Sequence, residues 1–281
     1  AVVRAMLADI PVILSSATPS VETQANAAKG RYAHVTLDER FAMPMPAIEA
    51  IDMRIDGPER GRFIAPKLVK AVAEEIGEGR QALLFLNRRG YAPLTLCRRC
   101  GHRFECPNCT AWLVEHRFRG TLNCHHCGFE TRRPKACPSC EAEDSLVPCG
   151  PGVERVAEEA HALFPDARIL ILSSDVVQSL ADLRARFDAV ENGEADIVIG
   201  TQLVAKGHNF PHLSLVGVVD ADLGLATADP RAAERTFQLL QQVTGRAGRG
   251  HHVGRALVQT FDPGHPVMRA IVEGDREGFY E

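Results

Sequence analysis

Five short apolar runs punctuate the chain: QALLFLNR (81–88), RILILSS (168–174), ADIVIGT (195–201), LSLVGVVDAD (213–222) and RALVQTF (255–261). Their apolar residues are consecutive rather than alternate, which predicts strands of a parallel sheet buried on both faces. Apolar residues at helical spacing lie between them, near 66–78, 152–164, 177–192 and 230–247. Pro66 and Pro151 stand near two helix starts, where a missing N–H does no harm. Strand and helix in alternation predict an α/β fold, a parallel sheet with helices on both faces. The alternation breaks once, after the first strand, so residues 97–140 read as an insertion. Residues 38–65, proline-bearing and without a clear period, read as a linker. AVVRAMLADI (1–10) reads as a helix feeding a strand at once, and VMRAIVEGDREGFYE (267–281) as a helix awaiting its partner. Both ends predict a piece of a longer protein.

The insertion is defined by cysteine. Eight of the nine cysteines fall in four C-x-x-C pairs: Cys97/Cys100, Cys106/Cys109, Cys124/Cys127 and Cys137/Cys140. A redox C-x-x-C comes singly, beside a thioredoxin-like pattern. Four pairs match eight thiolates for two tetrahedral Zn²⁺ ions. Trp112, Val114, His116 and Phe118 alternate with smaller or polar neighbours, and Arg119-Gly120 can turn the chain. That predicts a β-hairpin bringing Cys106/Cys109 to Cys124/Cys127 as a zinc ribbon. The outer pairs are then left for each other, and an interleaved cross-brace is the alternative. Trp112 and Phe118 are expected to pack the ribbon's small core rather than stack on bases. His125 and His126 are expected to be exposed, and the leftover Cys149 to be a small buried hydrophobe.

Charge refines this picture. The net charge is −4, which announces no nucleic-acid partner globally. From Arg88 to Lys135, however, ten basic side chains face three acidic ones. Eight thiolates with two Zn²⁺ take back part of that excess, leaving a modestly basic lobe. No stretch resembles a signal peptide or approaches the roughly 18 apolar residues of a membrane span. The expected location is the cytoplasm, where thiols stay reduced.

Ligands of parallel sheets bind at the carboxyl ends of the strands. Those ends hold NRRG (87–90), GTQLVAKGHNFP (200–211) and VDADLG (219–224), and the last long helix finishes in QQVTGRAGRG (241–250). Arg246 and Arg249, flanked by glycines, suit a phosphate; the alternative is a solvated helix end. Asp220 and Asp222 are expected to cap a loop rather than hold Mg²⁺. Thr18 could couple sites or cap a turn before Pro19.

SSATPS (15–20), GTQLVAKGHNFP and QQVTGRAGRG resemble motifs III, V and VI of superfamily 2 helicases. LLFLNRRGYAPLTLC (83–97), the four cysteine pairs, GPGVERV (150–156) and AERTFQLLQQVTGRAGR (233–249) resemble the PriA family of primosomal replication-restart helicases. The resemblance implies a RecA-like helicase lobe carrying an inserted two-zinc subdomain. It implies an ATP-dependent 3′→5′ DNA helicase that recognises forked or single-stranded DNA. Primosome and replication-restart proteins, and single-stranded-DNA-binding protein, are its implied partners. Gln242, Arg246 and Arg249 would sit on the nucleotide, one arginine acting as the finger. Thr201 and Lys206 would meet DNA phosphate, and Gly207 with Asn209 would line the ATP cleft. The zinc ligands would be Cys97, Cys100, Cys137 and Cys140 for one ion, and Cys106, Cys109, Cys124 and Cys127 for the other.

Three features depart from the family. Asn209 stands where many relatives carry Asp, and LSSD (172–175) lacks a charged string. No G-x-x-x-x-G-K-[ST] phosphate loop or acidic D-E-x-x box occurs to hold ATP and Mg²⁺. In the family both precede motif III. The expected organisation is therefore the end of lobe one (1–37), a linker (38–65), lobe two in two parts (66–96 and 141–262), the zinc insertion (97–140) and the start of a C-terminal domain (263–281). Such a chain alone is expected not to hydrolyse ATP, and the alternative to a helicase fragment is a zinc-dependent DNA- or protein-binding module without motor activity.

Overall fold

The structure, a computed structural model, describes all residues except 38–43, 88–93, 110–111, 117–120, 125–126, 150–151, 174–175, 178, 206–207, 226–228, 251 and 281. It divides into two units, Ala1–Thr36 and Leu37–Glu281. The first holds α1 (Val2–Ala8) and α2 (Val21–Ala28). Ser20 caps α2 by accepting from Thr23 N at 3.3 Å. The apolar residues that follow α1, expected as a strand, form none, and Ile13 is 93% exposed. A strand forms only where a neighbour takes its hydrogen bonds, and apolar composition alone does not supply one.

The second unit is built on a six-stranded parallel sheet. Its strands are β1 (Ala47–Asp52), β2 (Gln81–Leu86), β8 (Ile169–Leu172), β9 (Ile197–Gly200), β10 (Leu213–Asp220) and β11 (Arg255–Thr260), in the order β1-β11-β10-β2-β9-β8. The five expected runs all form strands. β1 is a correction, because it lies inside the supposed linker. It pairs along its whole length with β11, Ala47 opposite Arg255 and Asp52 opposite Thr260.

Alternate residues of each strand feed two cores. Leu83, Phe85, Val198, Val216 and Val218 pack with α5 (Leu180–Glu191), α6 (Ala232–Thr244) and α7 (Pro266–Glu273) through Phe187, Phe237, Leu240, Met268 and Ile271. Leu84, Leu86, Ile197, Ile199 and Leu215 pack on the other face with α3 (Pro66–Gly77) and α4 (Val153–Leu163) through Leu68, Val72, Val156 and Ala160. Helices on both faces make this the expected α/β class. β10 passes so close to α3 that a Cβ on Gly217 would lie 2.6 Å from Leu68 Cδ1. Residues 263–281 place α7 in that same core, and α8 (Arg276–Tyr280) stacks Phe279 on Phe237 at 4.0 Å. Among the described residues no helix is long and apolar enough to cross a membrane.

The insertion is a second sheet, antiparallel, in the order β6-β5-β4-β3-β7. Its strands are β3 (Leu94–Cys97), β4 (Val114–His116), β5 (Thr121–Asn123), β6 (Glu130–Arg132) and β7 (Leu146–Cys149). β3 and β7 pair antiparallel, Leu94 opposite Cys149 and Cys97 opposite Leu146, so the lobe leaves and rejoins the main fold at one place. β4 and β5 form the expected hairpin. The lobe's small core is Phe104, Leu113, Leu122 and Leu146 around the cysteines. Trp112 is not in that core: the hairpin turns Leu113 inward, and Trp112 lies half-buried beneath the Arg103 guanidinium, 4.4 Å from its ring centroid. Phe118, His125, His126 and Pro151 lie outside the described residues.

Candidate zinc sites and the motif V–VI loops

The cysteines gather into two sets of four, Cys97/Cys100/Cys137/Cys140 and Cys106/Cys109/Cys124/Cys127. The sulfurs within each set lie within 4.8 Å of one another. This is the nested arrangement, and we call the sets the outer and inner sites. Sulfurs from different pairs approach to 3.6 and 3.7 Å in the outer site and to 3.4 Å twice in the inner one. A disulfide needs about 2.05 Å. Four sulfurs about 2.3 Å from one Zn²⁺ would stand about 3.8 Å apart. The donor sets therefore fit two zinc ions.

Local backbone chemistry shapes the sites. Three of the four pairs share one turn. Gly101 N donates to Cys97 O at 2.8 Å, Gly128 N to Cys124 O at 2.9 Å, and Glu141 N to Cys137 O at 2.9 Å. The fourth residue after the leading cysteine turns left-handed each time, with φ of 74°, 78° and 55° at Gly101, Gly128 and Glu141. Glycine adopts that conformation freely and glutamate does not. Backbone N–H groups also point at sulfur: Asn108 N lies 3.4 Å from Cys106 Sγ, and Ser139 N 3.4 Å from Cys137 Sγ.

The thiols of the outer site differ in acidity. Burial opposes the Cys97 thiolate, but hydrogen bonding with Ser145 and with the Cys100 and Arg99 backbone outweighs it and holds the thiol down at about 6. Burial pushes Cys100 up to about 12. Four crowded thiols do not ionise together unaided, and a divalent cation supplies the missing charge.

At the carboxyl ends of the parallel sheet, the segment after β9 meets the turn after α6. Thr201 is buried, with its N–H donating to Leu172 O at 3.2 Å. Arg246 is buried and reaches into the same loop: Nη2 donates to Ala205 O at 2.6 Å and Nη1 to His208 O. Its Nε is buried without a hydrogen-bond partner. Burial, then the like charge of Arg249, push Arg246 down to about 10. Arg249 is exposed, with Nε tied to Gly245 O at 3.0 Å. Gln242 and Asn209 are exposed, and Lys206 and Gly207 lie outside the described residues.

Reading the sequence missed what steadies this loop. The His208 ring stacks on Phe187 of α5, centroids 3.5 Å apart, and its Nδ1 lies 3.8 Å from Glu191 Oε1. The arginine's carbonyl partners carried no sequence signal, because every residue has a carbonyl. The aspartates behave as caps: Asp220 Oδ1 accepts from Asp222 N at 3.1 Å and Leu223 N at 3.2 Å. Thr18, in the first unit, is buried with its N–H on Ser16 Oγ at 3.1 Å.

A family model described as the PriA DNA helicase Cys-rich region domain matches residues 106–132. The Replication restart protein PriA of Rickettsia felis is 44% identical over 281 residues, covering 100% of this chain and 43% of that protein. The PriA of Bacillus subtilis is 40% identical over 283 residues, covering 100% of this chain and 35% of that protein. Among solved structures, S. cerevisiae Dbp5 bound to RNA and ADP BeF3 aligns with 99% of this chain and 51% of its own, at 14% identity and a TM-score of 0.46. Along its whole length the chain is thus similar to the PriA replication restart proteins, of which it spans less than half.

Proposed function

We propose that this chain carries the second motor lobe of an ATP-driven 3′→5′ DNA helicase that acts on forked or single-stranded DNA in replication restart. The observation that carries this reading is the arginine pair after α6. Among the described residues neither Arg246 nor Arg249 has an ion-pair partner, while Arg246 is buried. A buried cation without a counter-charge is costly, and a nucleotide's phosphates would supply that charge. Arg246 is held by the carbonyls of Ala205 and His208, which suits it to shaping the motif V loop against the nucleotide. Arg249, exposed beside it, is the better finger on the γ-phosphate. Gln242, Gly207 and Asn209 would complete the nucleotide face, and Thr201 with Lys206 would meet a DNA phosphate.

Phosphoryl transfer also needs a phosphate cradle and Mg²⁺. No phosphate-loop sequence occurs in this chain, so hydrolysis would require the rest of the protein. The first unit would close lobe one, and the sheet from β1 to β11 would form lobe two. The basic zinc lobe would contact DNA or the primosome and replication-restart partners, single-stranded-DNA-binding protein among them, in the cytoplasm.

The test is DNA-stimulated ATP hydrolysis by the complete protein. Arg249→Ala lowers turnover by about 10³–10⁵-fold, the range for loss of an arginine finger. Arg246→Ala lowers it as well, by loosening the loop. Turnover near the parent's rate in both variants overturns the motor reading.

A further inference from the structure

The first knuckle of the outer site is seated on the main fold at three points, one on the segment between β1 and α3 and two at the ends of β10 and β11. Arg98 donates through Nη1 to Glu59 O at 3.1 Å and through Nη2 to Arg62 O at 2.8 Å. Gly101, at the knuckle's left-handed tip, comes so near Phe261 that a Cβ would sit 3.4 Å from the Phe261 Cβ. Arg103 Nη2 lies 3.0 Å from Asp222 Oδ1.

The third contact differs from the others, because it is a buried ion pair. Asp222 is 2% exposed. It follows the end of β10 and gathers donors from the end of β11: Thr260 Oγ1 at 2.7 Å on Oδ1 and Phe261 N at 2.7 Å on Oδ2. One carboxylate therefore ties two strand ends together and takes a cation from another lobe. Arg103 in turn lies over Trp112, its guanidinium carbon 4.4 Å from the ring centroid, close enough for a cation–π attraction.

The outer site sets where Arg103 stands. Cys97 N donates to His102 O at 2.8 Å, and Leu96 and Arg103 are bridged antiparallel. The backbone beneath Arg103 is thus the closing side of the Cys97–Cys100 turn. Were that turn to lose its ion, Arg103 would lose its footing and leave a buried carboxylate without its counter-charge. Breaking one side of a buried pair is costly because the other side remains.

We propose that Arg103 couples the outer zinc site to the carboxyl end of the parallel sheet, so that ion binding there and the Asp222 cluster stabilise each other. Among the described residues the inner site meets Arg103 through the Trp112 ring, which is no metal ligand, and no hydrogen bond joins Arg103 to the inner cysteines. Linkage makes the effect reciprocal: a substitution at Asp222, in the sheet, weakens metal binding in the zinc lobe. The proposal is independent of ATP hydrolysis.

The experiment uses the 281-residue chain loaded with two Zn²⁺ and titrated against a chromogenic chelator. Arg103→Met and Asp222→Asn each lower the affinity of one of the two ions by about 5- to 150-fold, the usual span of coupling between sites. The other ion keeps its parent affinity. Repeating the titration with Cys124→Ser, which removes an inner ligand, identifies the weakened ion as the outer one. Leu172→Ala, a core substitution in β8 at the far edge of the sheet, leaves both affinities unchanged. If Asp222→Asn does not fold, Arg103→Met and Trp112→Leu carry the test, since neither side chain belongs to a hydrophobic core. In the reciprocal arm, Cys137→Ser lowers the melting temperature of the sheet more than Cys124→Ser does, and this difference vanishes when Arg103 is Met. Parent affinities at both sites in Arg103→Met, or equal weakening of both, overturn the proposal.

Discussion

Glu141 marks the one described knuckle turn whose left-handed residue is not glycine. Its φ of 55° costs about 1–2 kcal/mol relative to a right-handed residue, and its side chain is exposed. Gly101 and Gly128 occupy the same place in the other two knuckles without that cost. Glu141→Gly relieves the strain but gives the unfolded chain more freedom, worth about 0.4–1 kcal/mol against folding. The net effect is a gain of about 0.5–1 kcal/mol. Urea unfolding of the zinc-loaded variant checks this, and a loss of stability would refute it. The knuckles were legible in the sequence because metal spacing and a following glycine are local signals. The environment of Arg246 was not, because its partners are carbonyls 38 and 41 residues away. Trp112 was misjudged for a related reason. A strand's two faces alternate, so a one-residue error in register exchanges inside for outside.

Strands and helices were readable to the extent that both their faces are buried. β2, β9 and β10 are continuous apolar runs because helices cover them front and back. β1 escaped notice because AIEAID mixes acids with apolar residues, as an edge strand with one neighbour can. The apolar run after α1 was over-read for the converse reason. In the zinc lobe the hairpin β4–β5 determines the metal pairing, since it carries Cys109 to within 3.4 Å of Cys124. Each Cys₄ site therefore has its own four ligands. Cys106→Ser lowers the zinc content from two ions per chain to one and unfolds the β4–β5 ribbon. Structural zinc supplies on the order of 10–16 kcal/mol of binding free energy in small zinc domains. Elemental analysis together with the loss of β-ribbon amide protection checks it. Loss of both ions would show that the outer site depends on the folded ribbon.

Over the whole molecule, acids collect where the parallel strands end. Burial of its carboxyl, then the neighbouring Asp222, push Asp220 up to about 7. In the unfolded chain an aspartate ionises near 3.9. Between about pH 4 and 7 the folded chain holds a proton that the unfolded chain releases, so this group erodes stability as pH rises. The slope reaches at most about 1.4 kcal/mol per pH unit. Above 7 both states are ionised and the full cost remains. Asp220→Asn keeps an oxygen for the Asp222 and Leu223 N–H groups and removes the charge. Its stability relative to the parent grows from pH 5 to pH 7 and then levels. A difference that is flat with pH would mean that Asp220 is already ionised in the fold at pH 5.

β3 and β7 pair where the zinc lobe leaves and rejoins the main fold, and this bears on the order in which the chain folds. β2 and β9 are neighbours in the sheet, yet the entire lobe and α4 lie between them in sequence. Pairing them directly would mean closing one long loop. Once β3 and β7 have zipped, the lobe is a closed ring, and the remaining loop is roughly half as long. Each halving of a flexible loop lowers its closure cost by about 0.6 kcal/mol. Metal captured early, by knuckles that need only local chain, would thus bring the middle strands of the sheet within reach of each other before the outer strands arrive.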